Sequence, residues 1–158
     1  MARTKLVAGN WKMHGQTAAN QELLNALKAG AASARAGMAV CVPFPCLAQA
    51  RDALAGTSIA WGAQDVSQHE LGAYTGETSV AMLREFGVRY CLVGHSERRQ
   101  YHGETDAGVA LKAQRSLAGG VTPIVCVGET LAEREAGRTE EVVKRQLAAV
   151  IHTNGHCI

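Results

Sequence analysis

The stretch YCLVGHSERR, residues 90–99, passes from an apolar run to a polar one at Gly94. Its apolar half predicts a short buried strand, and His95 follows where the chain leaves the sheet. Ser96 is predicted to cap a helical turn that carries Glu97, so the imidazole faces the positive end of a helix dipole. That field keeps the ring neutral and able to donate a hydrogen bond to a carbonyl oxygen. A histidine that only satisfies a turn is the alternative interpretation.

The same alternation of short apolar and longer amphipathic stretches continues along the chain. The apolar runs are residues 5–11, 38–44, 58–64, 88–94 and 121–129. Because they are apolar nearly throughout, they predict parallel strands covered on both faces. The stretches between them predict helices, with Thr17 as the cap of the first. Five strand–helix units indicate an α/β protein with right-handed crossovers and one domain over residues 1–158.

Two architectures fit this alternation. A doubly wound five-stranded sheet would be complete within 158 residues, whereas a closed eightfold barrel needs about 250 residues. Periodicity does not choose between them, and length alone favours the open sheet.

The composition is that of an ordinary globular protein, with 47% apolar residues, 19% charged residues and a net charge of +2. So small a charge predicts no nucleic-acid partner and no polybasic contact with a membrane. No apolar run approaches the roughly 18 residues of a membrane-spanning helix. The first residues contain no apolar signal core, so the expected location is the cytoplasm.

The five cysteines are an odd number, and three of them lie inside apolar runs. Cys41, Cys91 and Cys126 are therefore predicted to be buried structural thiols in a reducing compartment. No CxxC pair is present, so the sequence predicts no zinc site.

Polar side chains follow the predicted strands at their carboxyl ends. They are Asn10, Lys12, Gln64, Asp65, His95, Ser96, Glu97 and Glu129. In both architectures ligands bind at this edge of the sheet. A fixed cation, an amide, an imidazole and carboxylates suit an anionic, oxygen-rich small molecule, and a solvated rim is the alternative. The neighbouring Arg98 and Arg99 are predicted to form salt bridges and not to bind a ligand.

Three stretches resemble the triosephosphate isomerase family, in order and at family spacing. They are VAGNWKMHG, QDVSQHELGAYTGETSVAMLREFGVRYCLVGHSERR and TPIVCVGETLAEREAGRT. The resemblance implies a TIM (β/α)8 barrel, of which this chain carries about five βα units, and an intramolecular oxidoreductase. The implied reaction interconverts dihydroxyacetone phosphate and D-glyceraldehyde 3-phosphate without a metal or an organic cofactor.

The resemblance also implies roles for individual residues. Lys12 is similar to the family lysine that holds the substrate phosphate, and Asn10 to the asparagine that orients the substrate. His95 is similar to the electrophile that polarises the carbonyl; a neutral histidine in this role is an established feature of the family. Glu97 is similar to the carboxylate that positions Lys12 and the imidazole.

Two further residues complete the implied substrate-binding set. Gly9 is expected to let the backbone pass close to the ligand, and Ser96 to cap the turn beside His95. Cys126 is similar to a family cysteine that packs behind the catalytic base without reacting.

Residues 65–79 form a polar stretch too long for an ordinary connection. In the family this stretch is a dimer-interface loop, and a plain flexible loop is the alternative. Thr75 is similar to the threonine that enters the partner's site, and Glu77 to the glutamate that pairs across the interface. His14 stands where the family commonly has an asparagine, in the pocket that accepts this loop. The implied partners are a phosphorylated triose and a second copy of the chain.

The resemblance ends at about residue 148, and residues 150–158 are expected to be an atypical tail. The proton-abstracting glutamate of the family follows strand six, in a motif such as AYEPVWAIGTG, and no such stretch occurs in this sequence. We therefore expect an N-terminal portion of the isomerase with very low activity of its own. Five strands would also leave two unpaired edges and expose one side of every strand.

Two alternatives to the isomerase portion remain. The first is a non-catalytic fragment or binding module with an open α/β sheet. The second is an unrelated doubly wound domain in which the motifs occur by chance.

Overall fold

A computed structural model describes residues 3–155 and contains one parallel sheet. The strands are β1 (Leu6–Asn10), β2 (Gly37–Val42), β3 (Ile59–Ala63), β4 (Tyr90–Val93) and β5 (Thr122–Val125). Four of them lie within the predicted apolar runs, and β2 begins one residue before its run, so the predicted strands and the α/β class are confirmed.

The order of the strands in the sheet is β1-β2-β3-β4-β5. Each new strand is added on the same side of the previous one, which is the winding of a barrel and not of a doubly wound sheet. The sheet is curled, and β2 and β4 approach each other across β3. The fold is therefore part of a TIM-type barrel, and the open doubly wound sheet is excluded.

Helices connect the strands and cover the convex face of the sheet. They are α1 (Thr17–Ala31), α2 (Leu47–Leu54), α3 (Val80–Glu85), α4 (Ser96–His102), α5 (Asp106–Ala118), α6 (Leu131–Glu135) and α7 (Thr139–Asn154). A 3₁₀ turn, Phe44–Cys46, precedes α2 and contains Pro45 in its first positions. The sequence did not predict α6, which begins with a capping box between Thr130 and Glu133.

Two predicted caps are wrong. Thr17 is the first residue of α1, and the cap position belongs to Gln16, which has an extended backbone and makes no side-chain cap bond. Ser96 is likewise the first residue of α4, whose cap is His95. In both cases the chain turns into the helix one residue earlier than expected. For α4 this places the imidazole itself at the helix N-terminus.

The core lies between the sheet and its helices. Its fully buried large side chains include Leu24, Leu54, Ile59, Leu83, Val93, Val109 and Val150. The expectation that every strand exposes one side is wrong for the middle of the sheet, because Ala39–Val42 and Cys91–Val93 are buried throughout. Curling of the sheet brings β2 and β4 close to each other across β3. At the edge, β1 is exposed, with Val7 63% accessible.

The predicted structural thiols follow the same pattern. Cys41 and Cys91 are fully buried, as predicted, and burial raises the pKa of Cys41 to about 11. Cys126 is only half-buried, which corrects the prediction, because it follows the edge strand β5.

The predicted tail divides at the end of α7. Residues 150–154 continue the helix, with Val150 buried in the core and Asn154 donating a hydrogen bond to the Ala110 carbonyl at 3.2 Å. Gly155 is the C-cap of α7, and residues 156–158 lie outside the described part of the chain. Within residues 3–155, no helix has the length and apolar character needed to cross a bilayer.

Candidate active site

A cavity of about 610 Å³ opens at the carboxyl ends of the strands. Its walls include Asn10, Lys12, His14, Gln64, Asp65, His95 and Glu97. These residues follow three different strands, β1, β3 and β4. Because parallel strands end at the same edge, residues far apart in the sequence meet here.

Lys12 has the left-handed backbone conformation, with φ of +53°, and is alone in this among the non-glycine residues in positions 3–155. The conformation costs about 1–2 kcal/mol for an L-residue and is typical of functional positions. The Lys12 backbone N–H donates to Asn10 Oδ1 at 2.9 Å. Its ammonium reaches Glu97 Oε1 at 2.6 Å. The strained turn therefore directs a cation of β1 toward the residues after β4.

His95 is fixed by the N-terminus that it caps. The backbone N–H of Glu97 donates to His95 Nδ1 at 3.2 Å. Since Nδ1 is the acceptor, the proton of a neutral imidazole is on Nε2, which is left as the donor nitrogen. Glu97 Oε2 lies 3.5 Å from Nδ1, farther than the backbone donor. In the neutral ring, the geometry therefore leaves the Nε2–H as the donor that can reach a ligand.

Glu97 connects Lys12 and His95. Its carboxylate is the hydrogen-bond partner of the Lys12 ammonium, and this bond lowers the pKa of Glu97 below its usual value. Its backbone fixes the tautomer of His95, as described above. The expected trio of Lys12, His95 and Glu97 is thus brought together in one cavity.

Ser96 and Gly9 are placed differently from the rest of the predicted substrate-binding set. Ser96 lines a separate cavity of about 890 Å³, together with Arg99 and Glu129. Gly9 is not among the residues that line either cavity, and a Cβ added there would meet only the Ala39 carbonyl, at 4.0 Å. A close backbone approach is therefore not what requires glycine at this position within the described structure.

The 65–79 stretch is a loop with a fixed base and an exposed tip. The Ser67 N–H donates to the Thr78 carbonyl at 2.8 Å, and Val66 is buried below them. Residues 70–77 are all exposed, including Thr75, Glu77 and Leu71, which is 85% accessible. The loop therefore directs Thr75 and Glu77 away from the chain, whereas His14 lies in the wall of the cavity.

A buried ion network underlies the site. Arg98 lies 3.1 Å from Asp65 and 3.0 Å from Glu104, and Lys112 lies 2.8 Å from Asp65 and also contacts Glu104. Arg99 pairs with Asp106 at 2.6 Å, so both arginines form salt bridges, as predicted. Burial raises the pKa of Asp65. Burial acts in the same sense on Glu104, but hydrogen bonds from Lys112 and Arg98 outweigh it and lower its pKa.

The sequence analysis missed Lys112 and Glu104. The available signal was the helical spacing of α5, in which Lys112 falls on the apolar face with Val109, Ala113 and Ser116. A lysine on that face needs a buried carboxylate partner. Within residues 3–155, no group of three or more His, Cys, Asp or Glu side chains is arranged to hold a metal ion.

A sequentially wound parallel sheet with polar side chains gathered at its carboxyl edge defines a barrel-type α/β protein with a small-molecule site. The sequence model of the triosephosphate isomerase family matches residues 5–157. The chain therefore belongs to the triosephosphate isomerase family.

Individual relatives agree with the family match. A triosephosphate isomerase of Albidiferax ferrireducens is 71% identical over 156 residues, which cover 99% of this chain and 63% of the relative. A triosephosphate isomerase of Delftia acidovorans is 72% identical over 157 residues, which cover 99% of this chain and 63% of the relative. A triosephosphate isomerase of Ralstonia nicotianae is 64% identical over 152 residues, which cover 96% of this chain and 61% of the relative. The chain thus spans just under two thirds of the length of these relatives.

Proposed function

We propose that the protein is an aldose–ketose isomerase that interconverts dihydroxyacetone phosphate and D-glyceraldehyde 3-phosphate. The reaction would serve glycolysis and gluconeogenesis in the cytoplasm. The observation that carries the proposal is the shared cavity, in which Lys12 and His95 come from separate strands and Glu97 contacts both. Membership of the family supports the same substrate.

In this proposal each residue performs the chemistry that its position allows. The Lys12 ammonium binds the phosphate and offsets the negative charge of the enediolate. The Nε2–H of His95 donates to the substrate oxygen that gains charge, and Asn10 orients the substrate. In the direction from dihydroxyacetone phosphate, a base removes a proton from C1 and a proton is returned at C2, while the hydroxyl proton of the C1 oxygen is replaced by one on the C2 oxygen; the two trioses therefore have the same atoms.

The base itself is expected in a family motif that the 158 residues do not contain. General-base catalysis contributes about 10²- to 10⁴-fold in rate. We therefore propose that this chain on its own binds the triose phosphate but turns it over very slowly.

We also propose that the protein acts as a homodimer. The 65–79 loop has an exposed apolar and polar tip that includes Leu71, Thr75 and Glu77. In the dimer, the tip of one chain would contact the region of His14 in its partner. Leu71 and Tyr74 are both exposed at this tip, and clustered exposed apolar side chains are typical of an interaction surface.

Ligand binding tests the proposal without requiring turnover. Dihydroxyacetone phosphate is titrated into the chain labelled with ¹⁵N and ¹³C, and the signals of Lys12 and His95 are followed by NMR. We expect saturable shifts at both residues. Lys12→Met should weaken binding about 10- to 100-fold, because a charged hydrogen bond to the phosphate is lost.

Two controls accompany this titration. Lys28→Met removes an exposed lysine from the last turn of α1 and should leave the affinity unchanged. Unphosphorylated dihydroxyacetone should bind far more weakly than the phosphate ester. Equal binding of the two ligands, or an unchanged affinity in Lys12→Met, would refute the proposed function.

A further inference from the structure

Asn154 and Gly155 are neighbours at the end of α7, and the sequence contains no second Asn–Gly pair. The other asparagines, Asn10, Asn20 and Asn25, precede tryptophan, glutamine and alanine. An asparagine loses its side-chain amide most readily when glycine follows it. Glycine has no side chain to hinder its own nitrogen, and its backbone adopts the conformations that the reaction needs. The pair is therefore a candidate site of covalent modification by deamidation.

Deamidation of this pair is an intramolecular reaction whose only co-reactant is water. The Gly155 backbone nitrogen loses its proton to a solvent base and attacks Asn154 Cγ. The bond from Cγ to Nδ2 breaks, and the nitrogen leaves as ammonia after taking up a proton from water. A water molecule then opens the cyclic imide at either of its carbonyls, which gives aspartate or isoaspartate. The reaction thus requires a free Gly155 nitrogen and an Asn154 side chain that can turn toward it.

The folded chain makes neither group available. The Gly155 N–H donates to the Ile151 carbonyl, as the cap of α7. Asn154 Nδ2 donates to the Val150 carbonyl at 2.9 Å and to the Ala110 carbonyl at 3.2 Å. Both N–H bonds of the side-chain amide are therefore used, and its orientation is fixed. The attack on Cγ can begin only after these three hydrogen bonds have opened.

The contacts that hold Asn154 belong to the packing of α7 on α5. Val150 is 2% accessible and lies in the core, and Ala110 of α5 is 1% accessible. Gly155, in contrast, is exposed and Asn154 is half-buried. A helix end opens more often than the core on which it packs. Opening of the last turn of α7 is therefore the step that admits the reaction.

We propose that Asn154–Gly155 is a deamidation site controlled by the packing of α7 on α5. The reaction converts an opening of the helix end into an irreversible change. An aspartate at this position has no N–H for the two carbonyls, and its charge lies at the negative end of the α7 dipole. Isoaspartate also adds a methylene to the main chain. In both products the helix end no longer docks on Ala110.

Mass spectrometry of the full chain tests the control by folding. The chain is incubated at pH 8, either folded or in guanidinium chloride, and digested at acid pH before the peptides are measured. We expect Asn154 to react at least about tenfold faster in the unfolded chain, because several hydrogen bonds protect it in the fold. Asn25 is the internal reference and should react several-fold more slowly than Asn154 in guanidinium chloride. Equal rates for folded and unfolded Asn154, or for Asn154 and Asn25 when unfolded, would overturn the proposal.

Two variants test whether the packing of α7 sets the rate. Val150→Ala removes a buried contact at the helix end and leaves the Asn–Gly pair intact, so deamidation of the folded chain should become about tenfold faster. Ile151→Ala is the matched control, because Ile151 is 39% accessible, and its rate should change less than about twofold. Equal rates for the two variants would contradict the proposed control. If Val150→Ala does not fold, the comparison of folded and unfolded unaltered chain decides the question.

The consequence of the reaction is tested with the product itself. Asn154→Asp supplies the aspartate, and Asn25→Asp makes the same change at an exposed position of α1. Hydrogen exchange of the amides of residues 151–155 should be about tenfold faster in Asn154→Asp than in the unaltered chain. Asn25→Asp should leave it unchanged. Unchanged protection in Asn154→Asp would show that the helix end still docks, which would refute the proposed consequence.

Discussion

Replacing Gly94 with alanine tests how the chain delivers His95 to the cavity. Gly94 is buried with φ of +70°, and an added Cβ would lie 2.7 and 2.8 Å from the two Cγ atoms of Val109. Val109 is fully buried and β-branched, so it cannot rotate away. The left-handed backbone costs alanine about 1–2 kcal/mol, and the overpacking adds about 1–3 kcal/mol.

Gly103 provides the matched control. It has nearly the same φ, +63°, and an added Cβ there meets nothing within 4 Å. Gly103→Ala therefore carries only the backbone cost, reduced by about 0.4–1 kcal/mol through the lower entropy of the unfolded chain. The difference between the two variants isolates the packing cost at position 94, where the added Cβ meets Val109 and, at 3.0 Å, the Arg99 guanidinium.

Urea unfolding followed by circular dichroism measures that difference. With an m value of about 2 kcal/mol/M, the midpoint of Gly94→Ala should lie about 0.5–1.5 M below that of Gly103→Ala. Adding Val109→Ala to Gly94→Ala should recover part of the loss, with a coupling of about 0.5–3 kcal/mol. Equal midpoints for the two glycine variants, or no coupling to Val109, would refute the packing explanation.

Three further predictions concern charge. Lys112→Met leaves the two buried carboxylates of Asp65 and Glu104 with one shared cation, Arg98, instead of two, and should destabilise the fold by about 3–5 kcal/mol in urea unfolding. Lys144→Met, which removes an exposed pair with Glu140, should change stability by less than about 0.5 kcal/mol. Glu97 has a lowered pKa in the folded chain, so its contribution to stability is complete above the ordinary glutamate pKa and is lost as the pH falls through the lowered value. Lys12→Met should raise the Glu97 pKa in a ¹³C titration, and an unchanged titration would contradict the Lys12–Glu97 bond. Burial raises the pKa of Cys41 to about 11 and also raises that of Cys91, so neither thiol should be alkylated by iodoacetamide at pH 7.5 until urea is added. Modification of either thiol in the native protein, detected by mass spectrometry, would show that the sheet opens.

The local features that the sequence predicted are those that depend on local pattern. The apolar runs located all five strands, and Gly87 and Gly119 stand just beyond the ends of α3 and α5, where glycine commonly ends a helix. The two caps at Thr17 and Ser96 were predicted one residue too late. A cap depends on where the backbone bends, and Ser, Thr and His side chains can each accept the bond.

The candidate site was predicted in part. Asn10, Lys12, His95 and Glu97 were picked out by their positions after strands and by resemblance, and they line one cavity. Ser96 was expected among them but lines the neighbouring cavity, because α4 begins with it and turns it away. Gln64 was recognised as a polar strand-end residue, but its bonds to two carbonyls from other strands have no signature in the sequence.

The sequence by itself determined the strand–helix alternation, the residues at the strand ends and, through its motifs, the family. Only the tertiary structure decided that the sheet winds sequentially and curls, that Lys112 neutralises two buried carboxylates, and that Lys12 occupies a strained conformation. The physical reason is the separation along the chain over which each effect acts. Hydrophobic periodicity and turn chemistry act between residues close together in the chain, whereas ion pairing and strain arise here from contacts between residues that are 47 to 85 positions apart.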